Sequence, residues 1–219
     1  MNIAIIPARG GSKRILKKNI KIFFGNPIIY YPLKVVLKSR LFNNIFVTTD
    51  DDKIIDYVNK KFPQVITIKR EKKFSTDKVK TITVIKNFIK NTKNNKIKKI
   101  CCIYSATPLL SVKNLKISFK MCQKYKNFVF PVVRSNSKTG KFIELKKHSI
   151  NKIFFKNDSR LMRYQDAGQF YWGTLQNWMK RKSIVDKSSR CFILKNYEAI
   201  DINTSKDWNK AKKLYKRKK

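Results

Sequence analysis

Acidic residues are scarce in this sequence of 219 residues, which has 13 Asp and Glu against 52 Lys and Arg for a formal net charge of +39. A charge of that size is typical of proteins that bind nucleic acid or another polyanion. The lysines are nevertheless spread over nearly every segment, together with abundant Asn and Ile, as AT-rich coding would produce. We therefore favour compositional bias and do not expect a nucleic-acid partner. The few acids mark candidate sites instead: Asp50, Asp51, Asp52, Asp77, Asp166, Asp201 and Asp207.

Long apolar runs are also absent. No segment approaches the roughly 18 residues of a membrane span, and the N-terminal apolar run is too short, and lacks the preceding basic region, for a signal peptide. The four cysteines include the adjacent pair Cys101 and Cys102, and their spacing fits neither a zinc site nor a disulfide framework. These absences predict a cytoplasmic protein with no membrane contact and with reduced, mostly buried thiols. The one histidine, His148, is interpreted as structural or exposed.

The N-terminal segment combines a short apolar run with a cationic loop. Ile3 to Ile6 fits a strand buried on both faces. Gly10 and Gly11 allow a tight turn close to a ligand, and their amides, with Ser12, are candidates to cradle phosphate oxygens. Several cations in the loop would neutralise phosphate charge: Arg9, Lys13, Arg14, Lys17 and Lys18. The spacing matches neither the P-loop nor the dinucleotide-binding fingerprint, so the loop predicts either a polyphosphate site or a basic surface turn.

Short apolar strands alternate with helical patterns as far as Val133. The strands are predicted at Ile3–Ile6, Ile45–Thr49, Val65–Ile68, Ile100–Tyr104 and Phe128–Val133. Helices are predicted from Pro27 onward, with Pro32 as a kink or delay, and over 53–61, 79–89 and 115–125. This alternation is typical of an α/β fold with a mainly parallel sheet and helices on both faces, here as one domain over 1–219. Such sheets bind ligands beyond the carboxyl ends of their strands, where the loops 7–19, 50–52 and 104–108 lie.

The pattern changes after Val133. Two short strands, Phe142–Leu145 and Ile150–Phe155, predict a small β-hairpin excursion from the sheet at about 135–161. The aromatic string from Asp166 to Gly173 is interpreted either as a core strand between glycines or as part of a sugar site.

The last part of the chain adds a polar segment and a helix. Asp201 and Asn203 fall on the same face of an extended segment. Thr204, with Asp207 three residues later, predicts a capping box for the final helix.

Several motifs together resemble the cytidylyltransferases that activate nine-carbon acidic sugars, the CMP-sialic acid synthetase family. They occur in family order over most of the chain: Ile6–Arg14 with Lys18-Asn19, Val47–Asp51, Arg70 with Asp77, Ser105–Pro108, and Asp201–Thr204. Residues 166–173 and the pair Asp207-Trp208 look like the branch that acts on pseudaminic acid. The resemblance implies a Rossmann-like nucleotidyltransferase fold and a homodimer in which the excursion at 135–161 reaches over the neighbouring site.

The reaction implied by the resemblance joins a sugar to a nucleotide. The anomeric hydroxyl of a nonulosonic acid, pseudaminic acid above all, attacks the α-phosphate of CTP and releases pyrophosphate. Such transfers depend largely on positioning and charge stabilisation. The implied catalytic residues are Arg9, Lys18 and Asp201, and Mg²⁺ would be held by Asp201 and Asn203. The implied nucleotide-binding residues are Arg9, Gly10, Gly11, Ser12, Lys13, Asn19, Arg70, Asp77, Thr81, Tyr104, Ser105, Ala106 and Thr107. The implied sugar-binding residues are Asp166, Gln169 and Tyr171.

A few positions depart from the family pattern and leave alternatives open. Asn203 stands where the family usually carries a second carboxylate, Leu16 replaces a proline, and Gln165 replaces a histidine. The segment Lys156–Arg160 and the hairpin also lack the family's sugar-contacting pattern. The acceptor therefore stays open between pseudaminic, neuraminic and legionaminic acid. A drifted, inactive nucleotide-binding relative and a nucleic-acid-binding protein are the remaining alternatives.

Overall fold

A ten-stranded mixed sheet forms the centre of the computed structural model, which describes residues 1–92, 96–135, 137, 139–155 and 162–218. The strands are β1 (Asn2–Pro7), β2 (Ile22–Phe23), β3 (Asn26–Pro27), β4 (Asn44–Thr49), β5 (Ile66–Lys69), β6 (Lys99–Ile103), β7 (Val129–Arg134), β8 (Phe142–Lys146), β9 (Ser149–Phe154), β10 (Tyr164–Asp166), β11 (Phe170–Thr174) and β12 (Arg190–Leu194). The helices are α1 (Tyr30–Ser39), α2 (Asp52–Lys61), α3 (Thr81–Thr92), α4 (Val112–Tyr125), α5 (Leu175–Lys180) and α6 (Ser205–Lys218). The sheet order is β10-β8-β9-β12-β7-β11-β6-β1-β4-β5, and β2 and β3 form a separate hairpin.

The strands β5, β4, β1 and β6 form a parallel block. Side chains of β1 alternate between its faces, since Ala4 and Ile6 lie in the cluster with α1, α2 and α4, whereas Ile3 and Ile5 lie in the cluster with α3 and α5. All four side chains are fully buried, as the apolar run predicts. The expected α/β fold with helices on both faces is confirmed for this block.

The prediction of a mainly parallel sheet is wrong for the second half of the chain. β11 is antiparallel to β6 and β7, and β10 is antiparallel to β7 and β8. β10 and β11 are consecutive strands, separated only by residues 167–169, and both pair antiparallel with β7. Antiparallel neighbours can be joined by a short connection, whereas parallel neighbours need a long crossover, usually a helix. Because β10 pairs with both β7 and β8, the strands β7, β10, β8, β9 and β12 close a small barrel-like ring.

The predicted hairpin is present as β8 and β9. It is part of the sheet and not an excursion from it, because β8 pairs with β10 and β9 pairs with β12. The sequence patterns do not predict β12 or α5, although α5 has a local signal in the capping box of Thr174 and Asn177. The polar segment Lys156–Arg160 lies outside the described residues.

The helix predicted from Pro27 begins instead at Tyr30, with Pro32 in its first turn. Pro27 belongs to β3, because Phe24 and Gly25 both have positive φ and form the two-residue turn of a tight hairpin. Pro32 is tolerated where it lies, since the first turn of a helix leaves backbone N–H groups without intrahelical partners.

The predicted helix caps are confirmed. Asp51 Oδ1 accepts from the amide of Lys53 at 2.9 Å. Thr204 Oγ1 accepts from the amide of Asp207 at 3.2 Å, and Asp207 Oδ2 accepts from the amide of Thr204 at 2.8 Å.

The four cysteines are free and buried, as expected. Within the described ranges, no helix is long and apolar enough to span a membrane.

Candidate active site

Loops that follow β1, β4 and β6 meet at the carboxyl ends of these strands, as the sequence predicts. They enclose a cavity of about 330 Å³, whose wall includes Pro7 at the end of β1, Arg9 from the first loop and Ser105 from the third. The second loop supports the first, since Asp50 Oδ1 accepts from the amide of Gly10 at 3.0 Å. The predicted convergence therefore produces a real concave site.

Cations dominate this cavity and the recess beside it. Arg9, Arg14 and Lys18 line both the cavity and the adjoining recess of about 420 Å³, and Lys13 lines the recess. Several cations on a concave surface create a strong positive potential, which favours a polyanionic ligand. The geometry thus supports a polyphosphate site over a basic surface turn. Arg14, which the sequence gives no specific role, belongs to its wall.

The glycine loop does not offer all of its amides to a ligand. The amide of Gly10 donates to Asp50, and the amide of Ser12 donates to the Gly10 carbonyl at 2.9 Å. Gly10 is required for another reason: an added Cβ would lie 2.8 Å from Asp51 Cβ. The amides of Gly10 and Ser12 therefore already have acceptors, which leaves the cationic side chains of the loop as its main groups facing the cavity.

Asn19 links the loop after β1 to the loop after β6 by side-chain hydrogen bonds. Its Nδ2 donates to the Arg9 carbonyl at 2.8 Å, and its Oδ1 accepts from Ser105 Oγ at 2.7 Å. The side chain is 4% exposed, although it reaches the cavity wall. Its main contribution is to fix the first loop against the third.

Asp77 lies directly on the cationic loop. Its carboxylate is hydrogen-bonded by Arg9 Nη2 and lies 3.9 Å from Lys13 Nζ. The Arg9 hydrogen bond holds the pKa of Asp77 below its usual value. An internal carboxylate therefore neutralises part of the charge that a polyphosphate would meet.

Lys18 faces Asp201 across the cavity. Lys18 Nζ donates to the Ile202 carbonyl at 2.8 Å. Burial, together with Arg14 and Arg9, lowers the pKa of Lys18, while Asp201 opposes that shift. An anion bound between Lys18 and the arginines would relieve this repulsion among cations.

The far end of the cavity combines a buried cation with apolar side chains. Arg70 Nε donates to Ser75 Oγ at 2.9 Å, and burial lowers the pKa of Arg70 despite the opposing charge of Asp50. Phe74, Val79 and Val84 line the same cavity. This mixture of a polar group and apolar walls suits a planar ring such as a nucleobase.

A row of contacting side chains runs from this cavity to Asp166. Thr81 Oγ1 lies 2.9 Å from Tyr104 Oη, the rings of Tyr104 and Tyr171 pack edge to face with centroids 5.4 Å apart, and the Tyr171 hydroxyl donates to Asp166 Oδ2 at 2.8 Å. Burial raises the pKa of Tyr104 to about 12. Burial also raises the pKa of Asp166 to about 6, although bonds from the Gly168 amide and Tyr171 oppose the shift.

Some predicted contact residues lie behind the cavity walls. Thr107 is buried and donates to the Tyr104 carbonyl at 2.7 Å. Gln169 is 1% exposed, and its Nε2 donates to the Glu198 carbonyl at 2.7 Å. Tyr171 is likewise buried and reaches the site through Asp166. These residues support the site and do not line the described cavities.

Asp201 forms a common wall between the first cavity and a further one. This further cavity, which we call the Asp166 cavity, has a volume of about 400 Å³ and includes Asp166, Ser135 and Arg134 in its lining. Gly168 lies against Asp201, and its φ of +60° is a backbone conformation that favours glycine. Two polar cavities thus meet at one carboxylate.

The donor set at Asp201 fits a metal held partly by a substrate. Asn203 Nδ2 donates to Asp201 Oδ2 at 2.6 Å, so the other carboxylate oxygen, Oδ1, is the one left for a cation. No group of three His, Cys, Asp or Glu side chains suited to a metal occurs among the described residues. Mg²⁺ is often bound by one or two carboxylates plus phosphate oxygens and water, and a single carboxylate such as that of Asp201 is compatible with this kind of coordination.

Comparison with known proteins identifies the family. A family model described as Cytidylyltransferase matches residues 3–217. The chain belongs to the cytidylyltransferase family. The family predicted from the sequence motifs is therefore confirmed, and the protein is a nucleotidyltransferase.

Similar proteins cover nearly the whole length of this cytidylyltransferase. It is 34% identical to the pseudaminic acid cytidylyltransferase of Campylobacter jejuni, over 98% of this chain and 96% of that one. It is 31% identical to a Helicobacter pylori protein named pseudaminic acid cytidylyltransferase and UDP-2,4-diacetamido-2,4,6-trideoxy-beta-L-altropyranose hydrolase, over 91% of this chain and 40% of that longer one. A solved structure of CMP:2-keto-3-deoxy-manno-octonic acid synthetase complexed with CTP superposes with a TM-score of 0.78 at 12% identity, over 100% of this chain and 99% of that one. At that identity the likeness establishes the α/β nucleotidyltransferase fold alone.

Parts of this cytidylyltransferase site have no sequence signal. The apolar wall of Phe74, Val79 and Val84 joins a loop to α3 by tertiary packing. Arg134 and Lys210 come together in the Asp166 cavity from β7 and α6, which are far apart in the sequence. In a chain with 52 Lys and Arg, no local pattern separates these two from the rest.

Proposed function

We propose that the protein transfers CMP from CTP to the anomeric hydroxyl of a nonulosonic acid, with pseudaminic acid as the acceptor, and releases pyrophosphate. The names of the relatives support the sugar, and the CTP complex of the structural neighbour supports the nucleotide. The observation that carries the proposal is the position of Asp201 between a cation-lined cavity and a second polar cavity.

The first cavity suits CTP. Arg9, Ser12, Lys13 and Lys18 would hold the triphosphate, and the pocket around Arg70, with its apolar wall, would receive the cytosine ring. This arrangement directs the α-phosphate toward Asp201 and leaves the Asp166 cavity for the acceptor.

The chemical step needs positioning and charge stabilisation more than covalent assistance. The anomeric hydroxyl gives up its proton to solvent water and its oxygen forms a bond to the α-phosphorus, while the bond from that phosphorus to the bridging oxygen of pyrophosphate breaks and pyrophosphate leaves. Lys18, Arg9 and Arg14 stabilise the negative charge that develops on the phosphate oxygens. Asp166, in the acceptor cavity, binds hydroxyl groups of the sugar.

Mg²⁺ is the proposed cofactor. Asp201 would hold it, and the bound ion would neutralise phosphate charge. Asn203 adds at most a neutral carbonyl oxygen, so Asn203→Asp is expected to keep or raise activity and to lower the Mg²⁺ concentration needed for half-maximal rate. A clear loss of activity in that variant would contradict the proposed metal position.

We further propose a homodimer and a cytoplasmic location. Phe155 and Met162 are large apolar side chains that are 70% and 56% exposed, which supports contact with a second copy. Light scattering over a concentration series measures the mass, and a monomer at all concentrations would contradict the dimer. The four free thiols support a reducing compartment.

A substrate panel tests the function directly. Pyrophosphate release is measured with CTP and each of three acids: pseudaminic, neuraminic and legionaminic. Release is expected only with CTP, acid and Mg²⁺ together, and fastest with pseudaminic acid. Faster release with another acid would reassign the acceptor. CTP binding without release for any acid would favour an inactive relative.

A further inference from the structure

The Asp166 cavity contains charges of both signs on separate elements. Arg134 lies at the end of β7 and Lys210 lies on α6, while Asp166 ends β10 and Asp201 lies in the segment before α6. A ligand filling this cavity of about 400 Å³ would meet cations and carboxylates together. Such a lining suits a ligand that carries both a negative group and hydroxyl groups.

The two cations are available to a ligand. Both Arg134 and Lys210 are exposed, and neither forms a salt bridge with a carboxylate in the part of the chain that the structure describes. Lys210 helps to lower the pKa of Asp207, but the hydrogen bonds to that carboxylate come from Thr204 and the Asn203 amide. The cations are therefore not committed to holding the fold together.

The chemistry of an ulosonic acid matches this arrangement. Its carboxylate is attached to the anomeric carbon, next to the reacting hydroxyl. Guanidinium and ammonium groups bind carboxylates through charge-assisted hydrogen bonds, and the planar fork of Arg favours a bidentate contact. With the carboxylate toward the cations, the remaining hydroxyls of the sugar are free to reach Asp166.

We propose that Arg134 and Lys210 bind the carboxylate of the acceptor and thereby select acidic over neutral sugars. The inference rests on the proposed function, because it takes the Asp166 cavity as the acceptor site. It assigns specificity to two residues that carry no sequence motif.

Binding of pseudaminic acid and of its methyl ester tests the assignment. Both are titrated calorimetrically into protein saturated with CMP, which permits no transfer. The wild type is expected to bind the acid about 10- to 100-fold more tightly than the ester, because the ester lacks the charge. Arg134→Ala with Lys210→Ala is expected to bind the two equally, and Arg134→Lys is expected to keep part of the preference.

Controls separate this role from general effects. Lys213→Ala, an exposed lysine of the same helix that does not line the cavity, should keep the full preference. Affinity for CTP should change less than twofold in every variant. Retention of the preference in the double variant, an equal loss of acid and ester binding, or no binding of the acid by the wild type would each overturn the assignment. The result is distinct from failure of the proposed function, in which no acid in the panel supports pyrophosphate release, whatever the binding preference.

Discussion

At the scale of single residues, the carboxylate of Asp77 interacts with the same cationic side chains that would bind the proposed triphosphate. Its carboxylate contacts Arg9 and lies near Lys13. CTP therefore has to replace an internal anion when it binds. The side chain of Asp77 is 48% exposed, so solvent weakens this competition and its effect is small.

Asp77→Asn is accordingly expected to tighten CTP binding by about two- to fivefold, because the neutral amide competes less for the cations. Calorimetric titration of CTP measures the change. Asp52→Asn is the matched control, since Asp52 pairs with the exposed Lys69 away from the cavity. Weaker binding in Asp77→Asn would show instead that the carboxylate contacts the nucleotide.

Lys18 lines both the cavity and the adjoining recess, where Asp201 and the arginines of the loop act on its charge. Lys18→Ala is expected to lower kcat by about 10²- to 10³-fold, as loss of one preorganised charge-stabilising group does, while the melting temperature stays near that of the wild type. Pyrophosphate release and thermal unfolding measure the two effects. Lys17→Ala serves as the control because Lys17 is exposed and lines neither cavity. A near wild-type rate for Lys18→Ala would remove this lysine from the mechanism.

At the scale of elements, the two adjacent glycines of the first loop have different requirements. An added Cβ at Gly10 would lie 2.8 Å from Asp51 Cβ, whereas at Gly11 it would meet no described atom within 4 Å. Gly10 is therefore needed so that the first loop can lie against the loop after β4. Gly11 has no such constraint.

Gly10→Ala is expected to lower the free energy of unfolding by about 1–3 kcal/mol and to weaken CTP binding, because the loop must move away from Asp51. Gly11→Ala, its matched control, should change neither by a measurable amount. Chemical denaturation and CTP titration provide the two readouts. Equal effects of the two substitutions would contradict the packing of the first loop.

The strands and helix caps could be predicted from the sequence where neighbouring residues alone determine them. The apolar runs at β1, β4 and β6 and the cap at Asp51 need only neighbouring residues, so the carboxyl-end site could be located from the sequence. The helix predicted from Pro27 was wrong because nothing in the local sequence indicates that Phe24 has a positive φ and forms a turn. The antiparallel return along β7 depends on pairing partners distant in the chain, and so does the meeting of Arg134 with Lys210.

At the scale of the whole molecule, the charge of +39 acts on substrates as well as on solubility. The ion pairs among the described residues involve few of the 52 cations. The field of the remaining cations extends into solvent, where it attracts anions such as CTP and an acidic sugar.

The value of kcat/KM for CTP is therefore expected to fall severalfold between about 50 and 300 mM KCl, as the Debye length shortens. The value of kcat at saturating CTP should change much less, because contacts inside the site are screened less. Steady-state kinetics at fixed Mg²⁺ measure both. A kcat/KM independent of salt would mean that the net charge plays no part in substrate capture.

The parallel block of β5, β4, β1 and β6 ends where β11 pairs antiparallel with β6, and this boundary lies in the middle of the sheet. On the proposed function it also divides the two substrates, because the nucleotide cavity is built mainly by residues up to 107 and most of the acceptor cavity by residues 133–201. Substitutions in the ring would thus alter acceptor choice without disturbing β1, β4 or β6. A lineage carrying this fold can therefore diversify its sugars mainly through residues 133–200 together with Lys210, provided that Gly168 and Asp201, which also line the nucleotide cavity, are kept. A chimera for engineering would exchange that stretch and retain these two residues.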